Sequence, residues 1–374
     1  MQQQRAEQVR HEIIWLCHAG LDSGRLWTEI IKQLRKVIPI DVSFFATADP
    51  ATLLFTGVVV DEALERATPQ FIENEFLRED VNKFAWLARR TPAVNGLMQA
   101  TEQKLERSPR YRDILAPLAL GDELRAALVT GGVCWGFMCL HRDRSSPHFT
   151  PAEAAYIGQL VPHIAEGLRK ALLLSSVTGG EIPDEPGLLL LADDLSVVAI
   201  TPAAERWMAE IAETEWSHKR VVPSAVAAVV ARLHAIERGN DTLPGLLPKV
   251  RLRSVSGHWL VLHASRLMSP TGEARIAVIV EVARPVEIAP LIGQAYDLSM
   301  RESEVMQSVL RGLSTAEMAA TFQISSNTVQ DHLKAIFEKV GVRSRRELVG
   351  QLFAQQYQPR ILAGRTLDAN GWFT

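Results

Sequence analysis

The chain has 374 residues, of which 47% are hydrophobic and 22% charged, a composition typical of a soluble globular protein with room for two or three domains. Its formal net charge of −3 excludes a polybasic protein that coats nucleic acid, so any affinity for DNA must come from a local group of basic residues. The three cysteines lack zinc-finger spacing, which favours a reducing cytoplasm. No apolar run approaches 18 residues, so we expect a cytoplasmic protein without a membrane span.

The first 174 residues have the pattern of an α/β domain. Apolar residues at helical spacing predict two helices between residues 9 and 38, and a capping box at Thr150 opens a further helix that closes the domain. The stretch from 69 to about 118 is expected to be a long helical insert. Alternating apolar residues predict four strands, at residues 42–47, 53–60, 124–129 and 133–141.

A second domain, of the α+β class, is predicted over residues 188–283. The glycines and prolines of 175–187 predict a linker before it, and residues 284–296 link it to the C-terminal segment. Two strands and a helix start follow one another from Leu188, and residues 224–237 are predicted to be helical. Three further strands are predicted at residues 249–253, 259–266 and 275–282.

Four short helices are predicted within residues 297–354, followed by a C-terminal tail over 355–374. Ser299, Ser314 and Ser344 each precede a glutamate by three positions, which is the pattern of a capping box and marks three helix starts. The segment is therefore expected to be an all-α domain.

The helix that follows Ser325 has two different faces. A tight Gln323-Ile324 turn separates it from the preceding helix, so the pair is predicted to be a helix-turn-helix. At 100° per residue, a narrow apolar stripe contains Val329, Leu333, Ile336 and Val340. The opposite side carries Asn327, Asp331, Lys334 and Glu338, with Gln330 at its edge. One face is expected to pack on the core and the other to enter a DNA groove.

The segment from Leu298 to Phe353 resembles the LuxR-type, also called NarL-type, DNA-binding domain. Three runs carry the resemblance: Leu298-Ser299-x-Arg301-Glu302-x-Glu304-Val305, Gly312-Leu313-Ser314-x-x-Glu317-Met318-Ala319, and Ile324-Ser325-x-x-Thr328-Val329-x-x-His332-Leu333-x-x-Ile336-Phe337-x-Lys339-Val340-Gly341-Val342-x-Ser344-Arg345. It implies a four-helix fold that contacts double-stranded DNA through Ser326, Asn327, Thr328, Gln330, Asp331 and Lys334. In that family the fourth helix pairs two subunits, and we expect a subunit contact at Leu348, Leu352 and Phe353.

Two residues depart from the family pattern. Met300 stands where proline is common, and Asp331 places an acid on the reading face. Because phosphates repel a carboxylate, we expect Asp331 to accept a hydrogen bond from a cytosine amino group. The alternative is a four-helix interaction module that never meets DNA. Charge distribution favours DNA, because the basic residues cluster after the turn, at Lys334, Lys339, Arg343, Arg345 and Arg346.

The two preceding domains resemble sensor folds. A helix, a sheet that includes the strand at 133–140 and a closing helix are similar to a GAF domain, a fold often found ahead of LuxR-type domains. Residues 79–86 also resemble the acidic and aromatic stretch of acyl-homoserine-lactone receptors, although the other aromatic positions of that family are not recognised. Residues 188–283 resemble a PAS domain, with Thr201 where that family often has asparagine.

No cofactor, metal site or enzyme activity is predicted. The sequence has no Walker loop, dinucleotide fingerprint or nucleophile elbow. In a regular strand, Cys134 points away from Cys139 and His141, so one strand cannot present all three to a metal ion. The same alternation places Trp135 and Phe137 on the face of Cys139 and His141.

A few aromatic residues and one histidine of the N-terminal domain are candidates for binding an effector, although each could instead belong to an ordinary core. The candidates are Trp86, Tyr111, Trp135, Phe137 and His141. Because this half is rich in apolar residues and shows no basic cluster for a phosphate, we expect an uncharged or weakly polar organic effector.

These patterns together predict a dimeric, ligand-responsive transcriptional regulator. Its expected partners are a DNA operator, a second copy of the chain, RNA polymerase and a small-molecule effector. Two alternatives stay open. One is a constitutive regulator whose GAF-like and PAS-like domains only dimerise or bind a protein partner, which a filled interior would support. The other is a metabolic enzyme with a helix-turn-helix passenger, which a catalytic cleft in the N-terminal half would support.

Overall fold

The computed structural model describes residues 2–174, 185–211, 221–239, 247–268, 270 and 272–350. The helical spacing of apolar residues at the start of the chain produces α1 (Gln2–Leu16) and α2 (Ser23–Leu34). Asp22 caps α2 because its side chain accepts a hydrogen bond from the backbone N–H of Arg25 at 2.9 Å. The two helices predicted at the start of the chain are thus confirmed.

An antiparallel sheet of five strands forms the centre of the N-terminal domain. Its strands are β1 (Val42–Ala48), β2 (Phe55–Val60), β3 (Val94–Gly96), β4 (Leu120–Thr130) and β5 (Val133–Asp143). Their spatial order is β2-β1-β5-β4-β3. The four predicted strands are confirmed, but β3 lies inside the expected helical insert. That expectation is wrong at residues 94–96, because Val94 pairs with Ala126 of β4.

The rest of this insert consists of short helical segments. Helix α3 (Glu62–Glu65) precedes the insert, and the α-helices of the insert are α4 (Thr68–Leu77), α5 (Phe84–Leu87) and α6 (Leu97–Ala100). A 3₁₀ turn at Leu105–Arg107 and a π-helical turn at Tyr111–Leu115 follow them. These elements lie against one face of the sheet and surround the candidate site described below.

The other face of the sheet is covered by α1, α2 and the long helix α7 (Pro151–Leu174). Trp27 of α2 stacks on Phe45 of β1 with 4.8 Å between the ring centroids. Burial of these apolar faces is the main contribution to the stability of the layer. Neither α7 nor any other helix of the described residues is long and apolar enough to cross a membrane.

A β-bulge in β5 changes which side chains share a face. The pairing of β4 with β5 shifts register by one residue next to Trp135. As a result, Trp135 packs in the core beneath α1, α2 and α7, whereas Phe137, Cys139 and Cys134 lie in the core on the other side. The predictions that Trp135 shares a face with Phe137 and that Cys134 points away from Cys139 are therefore wrong.

The middle domain contains a second five-stranded antiparallel sheet. Its elements are β6 (Gly187–Leu191), β7 (Val197–Ile200), α8 (Pro202–Glu210), α9 (Ser224–Glu237), β8 (Lys249–Arg253), β9 (Trp259–Met268) and β10 (Ala274–Val282). The spatial order β7-β6-β10-β9-β8 repeats that of the first sheet. Thr201 caps α8 by accepting a hydrogen bond from the N–H of Ala204. The strands and the helix predicted here are confirmed.

The connection to the C-terminal domain is itself a helix. It is α10 (Pro285–Ala295), and it is followed by α11 (Met300–Leu310), α12 (Thr315–Phe322), α13 (Ser326–Val340) and α14 (345–350). The capping boxes at Ser299 and Ser314 are present, as predicted. Gln323 has a φ of 55°, in the left-handed region, and this conformation makes the tight turn between α12 and α13 possible.

The three parts of the chain are in direct contact. Helix α9 of the middle domain packs on α4 and β2 of the N-terminal domain. Arg253 of β8 donates a hydrogen bond to the Leu172 carbonyl of α7 at 2.7 Å. Arg169 of α7 donates another to the Ala295 carbonyl at the end of α10, at 2.6 Å. Helix α10 therefore connects to both preceding domains through buried surfaces and specific hydrogen bonds.

Candidate functional site

The face of α13 opposite the domain core is exposed. Its inner stripe is buried, at Val329, Leu333, Ile336 and Val340. Of the residues predicted to contact DNA, Thr328 is half-buried and the others are exposed, at Ser326, Asn327, Gln330, Asp331 and Lys334. The fold brings all six to one surface, and a polar helix face of this kind fits the major groove of B-DNA.

Ser325 caps the N-terminus of α13. The Ser325 hydroxyl accepts a hydrogen bond from the N–H of Thr328 at 3.1 Å and lies 2.9 Å from the Thr328 hydroxyl. This cap fixes the first turn, where the unpaired amides and the positive end of the helix dipole attract an anion.

The basic residues after the turn divide into two groups. Lys339 donates to Glu302 at 2.7 Å and to the Asp297 carbonyl at 3.0 Å, and Arg345 donates to a backbone carbonyl. These two side chains hold α11, α13 and α14 together. The other three are exposed and available to phosphates: Lys334, Arg343 and Arg346.

Residues 297–351 match the family described as bacterial regulatory proteins, luxR family. This C-terminal region is a LuxR-type helix-turn-helix domain. The probable HTH-type transcriptional regulator GfsR of Streptomyces halstedii is 30% identical over 123 residues, which is 31% of this chain and 44% of that protein. The match therefore spans less than half of the relative's length.

Two solved structures are similar to this chain with low TM-scores. Escherichia coli SdiA covers 92% of this chain and 96% of its own, with 12% identity and a TM-score of 0.32. The phage VqmA–DPO complex covers 47% of this chain and 86% of its own, with 17% identity and a TM-score of 0.21.

The structure describes only Leu348 of the three residues expected to form a subunit contact. Leu348 has no exposed area, because it is buried in the core of its own domain. Leu348 is thus a core residue, and the prediction that it contacts a partner needs correction. Leu352 and Phe353, the other two residues of that prediction, lie outside the described residues.

A cavity of about 960 Å³ lies where the N-terminal domain meets α9 of the middle domain. Its N-terminal side is formed by residues of the insert and by Leu53, Leu54 and Phe55, and its other side by Arg232 and Ala235 of α9. A cavity of this size can hold an organic molecule. We refer to it below as the interdomain cavity.

Of the five residues predicted to bind a ligand, only Trp86 lines the interdomain cavity. Trp135 is buried beneath α7 on the far side of the sheet. Phe137 is fully buried and stacks on Phe84 with 4.3 Å between centroids. His141 is buried beside a carboxylate and Tyr111 is half-buried. The predicted aromatic group is therefore not one binding site, because the bulge and the packing of the insert separate its members.

The basic side chains that line the interdomain cavity were not predicted from the sequence. The lining includes Lys83, Arg89, Arg90 and Arg232. Lys83, Arg89 and Arg90 lie close together in the sequence, but only the fold shows that they line a cavity together with Arg232 of α9. Arg90 stacks over the Trp86 ring at 4.2 Å from its centroid, while Lys83 donates hydrogen bonds to two backbone carbonyls. Burial lowers the pKa of Lys83 to about 8.

Behind the cavity wall lies a buried network of charges. Arg110 donates to Glu123 at 2.8 Å, and Arg125 donates to Glu75 at 2.8 Å while its guanidinium lies 3.7 Å from the Phe84 ring centroid. Burial by itself would raise the pKa of Glu123, but Arg110 and Arg125 hold that pKa well below its usual range. In these two ion pairs the positive and negative charges balance, and Phe84, which contacts the Arg125 guanidinium, forms part of the lining of the cavity.

One set of side chains in this network has the composition of a metal site. Possible ligand atoms of Glu123, Cys139 and His141 lie within 4.8 Å of one another, beside a cavity of about 20 Å³ lined by Cys139 and His141 that has room for one water molecule. However, Glu123 is paired with Arg110, and burial raises the pKa of the Cys139 thiol to about 12, so it stays protonated. We interpret the set as part of the charge network, and the expected absence of a metal stays a prediction.

Proposed function

We propose that the protein is a sequence-specific transcriptional regulator that binds a DNA operator as a homodimer and responds to a small organic molecule held in its N-terminal region. The observation that carries the proposal is the LuxR-type domain, whose reading face is exposed while its opposite face is buried. On this proposal RNA polymerase is the downstream partner and the protein acts in the cytoplasm, without enzyme activity of its own.

The repeated strand order supports a sensor role for the first two domains. Both sheets have their strands in the local order 2-1-5-4-3 and carry helices on at least one face. We propose that residues 1–174 form a GAF-like domain and residues 188–283 a PAS-like domain, in line with their sequence patterns. The interdomain cavity supplies space for an effector between them.

Control by a ligand requires that binding favours one arrangement of the domains over another. Helix α10 is the structural route for this, because it contacts both preceding domains and packs on α11 of the DNA-binding domain. An effector that changes how α7 and the middle domain hold α10 would change the spacing of the two reading helices in a dimer. In the alternative of a constitutive regulator, the cavity stays empty and operator binding is independent of small molecules.

The proposal is tested by selecting bound sequences from a random DNA library with the full-length protein. We expect enrichment of two half-sites about 10 bp apart, because a two-fold pair of reading helices enters successive major grooves. Footprinting of the selected sequence would then show two protected segments on one face of the duplex. If no DNA motif is enriched, the protein is not a sequence-specific regulator. If a single half-site is enriched and binding is proportional to monomer concentration, the protein does not bind its operator as a dimer.

A further inference from the structure

The polar groups that line the interdomain cavity are mainly cationic. The lining contains two acidic residues, Glu75 and Asp80, and four basic residues, Lys83, Arg89, Arg90 and Arg232. Arg89 and Arg90 are exposed at the mouth, whereas Arg232 has only 3% of its surface exposed. By formal charge, cations outnumber carboxylates by four to two in this lining.

The carboxylate of Glu75 is already occupied by neighbouring donors. One of its oxygens accepts from Arg125 at 2.8 Å and the other from the N–H of Phe84 at 2.8 Å. Because both oxygens are engaged, this acid adds little to the attraction of a cationic ligand.

The carboxylate of Asp80 is occupied in the same way. It accepts hydrogen bonds from the side chains of Asn74 and Ser108 and from the backbone amides of Val81 and Arg110, at 2.7 to 2.9 Å. The charge that a ligand meets in the cavity is therefore positive.

The remaining lining is apolar and aromatic. It includes Leu53, Leu54, Phe55, Phe76, Phe84 and Trp86. A ligand that matches both parts needs an apolar body and an anionic group. Burial of the body against the rings supplies affinity, and the arginines supply charge-assisted hydrogen bonds that fix its orientation.

We infer that the interdomain cavity binds an amphipathic organic anion, with an aromatic or aliphatic body and a carboxylate-like or phosphate-like group, rather than the neutral effector expected from the sequence. The inference rests on the proposed function, in which the N-terminal region holds an effector. Because Arg232 and Ala235 belong to α9, such a ligand contacts both domains at once and favours the arrangement in which they are closed on each other.

The test compares two fluorescent probes that differ in one group. 8-Anilinonaphthalene-1-sulfonate carries a sulfonate, and N-phenyl-1-naphthylamine has the same rings without it. With the full-length protein we expect saturable one-to-one binding of the sulfonate, at least tenfold tighter than that of the neutral probe. Equal affinities for the two probes, or no binding of the sulfonate, would overturn the inference.

Two matched double variants locate the site. Arg89→Gln/Arg90→Gln removes the two exposed arginines of the lining, and Arg25→Gln/Arg66→Gln removes two exposed arginines of the same domain that do not line the cavity. We expect at least a tenfold loss of sulfonate affinity for the first variant only, with neutral-probe binding unchanged in both. An equal loss in the two variants would place the probe elsewhere and overturn the inference.

Measurement of operator binding with the same variants shows whether the regulator proposal or the ligand inference has failed. Arg25→Gln/Arg66→Gln is expected to bind selected DNA as the unchanged protein does, since its substitutions are outside both the cavity and the DNA-binding domain. If no preparation binds DNA while the sulfonate still binds, the regulator proposal fails and the ligand inference stands. If DNA is bound but the probes do not discriminate by charge, the ligand inference alone fails.

Discussion

Arg251 of the middle domain donates three hydrogen bonds to the carboxylate of Asp49 in the N-terminal domain, from its backbone N–H, Nε and Nη2, at 2.9, 2.9 and 2.5 Å. The Asp49 side chain has 1% of its surface exposed and that of Arg251 has 11%. The same guanidinium donates through Nη1 to the Glu287 carbonyl of α10 at 2.9 Å. One arginine therefore joins the N-terminal domain, the middle domain and α10.

Replacement of this arginine should weaken the contact between the N-terminal and middle domains. Arg251→Ala leaves the buried Asp49 carboxylate unpaired, so we expect a loss of about 3–5 kcal/mol of unfolding free energy. Urea unfolding should also separate into two transitions. The control is Arg78→Ala, which removes surface ion pairs with Glu73 and Asp113 and should cost less than about 1 kcal/mol. Similar losses for the two variants would contradict a special role of Arg251.

Lys334 projects from the exposed face of α13, where a lysine reaches guanine or phosphate. Lys334→Ala should weaken operator binding by about 1–3 kcal/mol and leave the fold intact. Fluorescence anisotropy with the selected operator measures the change. Lys32→Ala, an exposed lysine on α2, is the control. Unchanged affinity for Lys334→Ala would rule out the proposed docking of α13.

Asp331 should determine one base of the operator rather than general affinity. A carboxylate on the reading face can accept a hydrogen bond from the amino group of cytosine. Selection of bound sequences with Asp331→Ala should therefore lose the preference for cytosine at one position of each half-site, by about 1–3 kcal/mol of discrimination. A selected motif identical to that of the unchanged protein would show that Asp331 does not contact a base.

Trp135 is expected to stabilise the fold without touching the effector. It is 4% exposed and packs beneath α7, so Trp135→Ala should cost about 3–5 kcal/mol of unfolding free energy through the cavity it leaves. Trp15→Ala removes a ring that is 69% exposed and should change stability by less than about 0.5 kcal/mol. Sulfonate-probe affinity should be the same in both variants. If only Trp135→Ala lost probe binding, Trp135 would be part of the ligand site.

Lys83 should make stability depend on pH above neutrality. Its pKa is about 8 in the folded protein against 10.5 as the ordinary value, so between these values the unfolded chain binds a proton that the folded chain does not. Stability therefore falls as the pH is lowered from about 10.5 to about 8 and is unaffected by this group below that range. Relative to Lys83→Met, the unchanged protein should lose up to about 3 kcal/mol over the window. A constant difference between the two across this range would show that Lys83 is not desolvated.

Local signals in the sequence predicted the secondary structure well. The capping boxes at Ser299 and Ser314 and the strands of both sheets other than β3 are confirmed, because they depend on residues a few positions apart. The orientation of Trp135 was predicted incorrectly because a bulge is a property of a strand pair, and the register of β4 against β5 is not visible in β5 alone.

The exposed face of α13 and the interdomain cavity also differ in how far the sequence predicts them. The exposed face of α13 follows from helical periodicity within one segment, so its members could be named in advance. The interdomain cavity combines Arg89 with Arg232, which are brought together only by the packing of α9 on the N-terminal domain. Leu348 was assigned to a dimer contact because sequence pattern does not show which apolar residue of a short helix fills its own core.

The attachment of α10 at both of its ends has a mechanical consequence. Its last carbonyl is held by Arg169 of α7, and its first turn by Arg251 and Lys249 of the middle domain. At 1.5 Å per residue its 11 residues form a rod of about 16 Å, so a tilt of about 10° at one end moves the other by about 3 Å. On the proposed function, a movement of the first two domains that tilted α10 by this angle would therefore displace the DNA-binding domain by about the rise of one base pair.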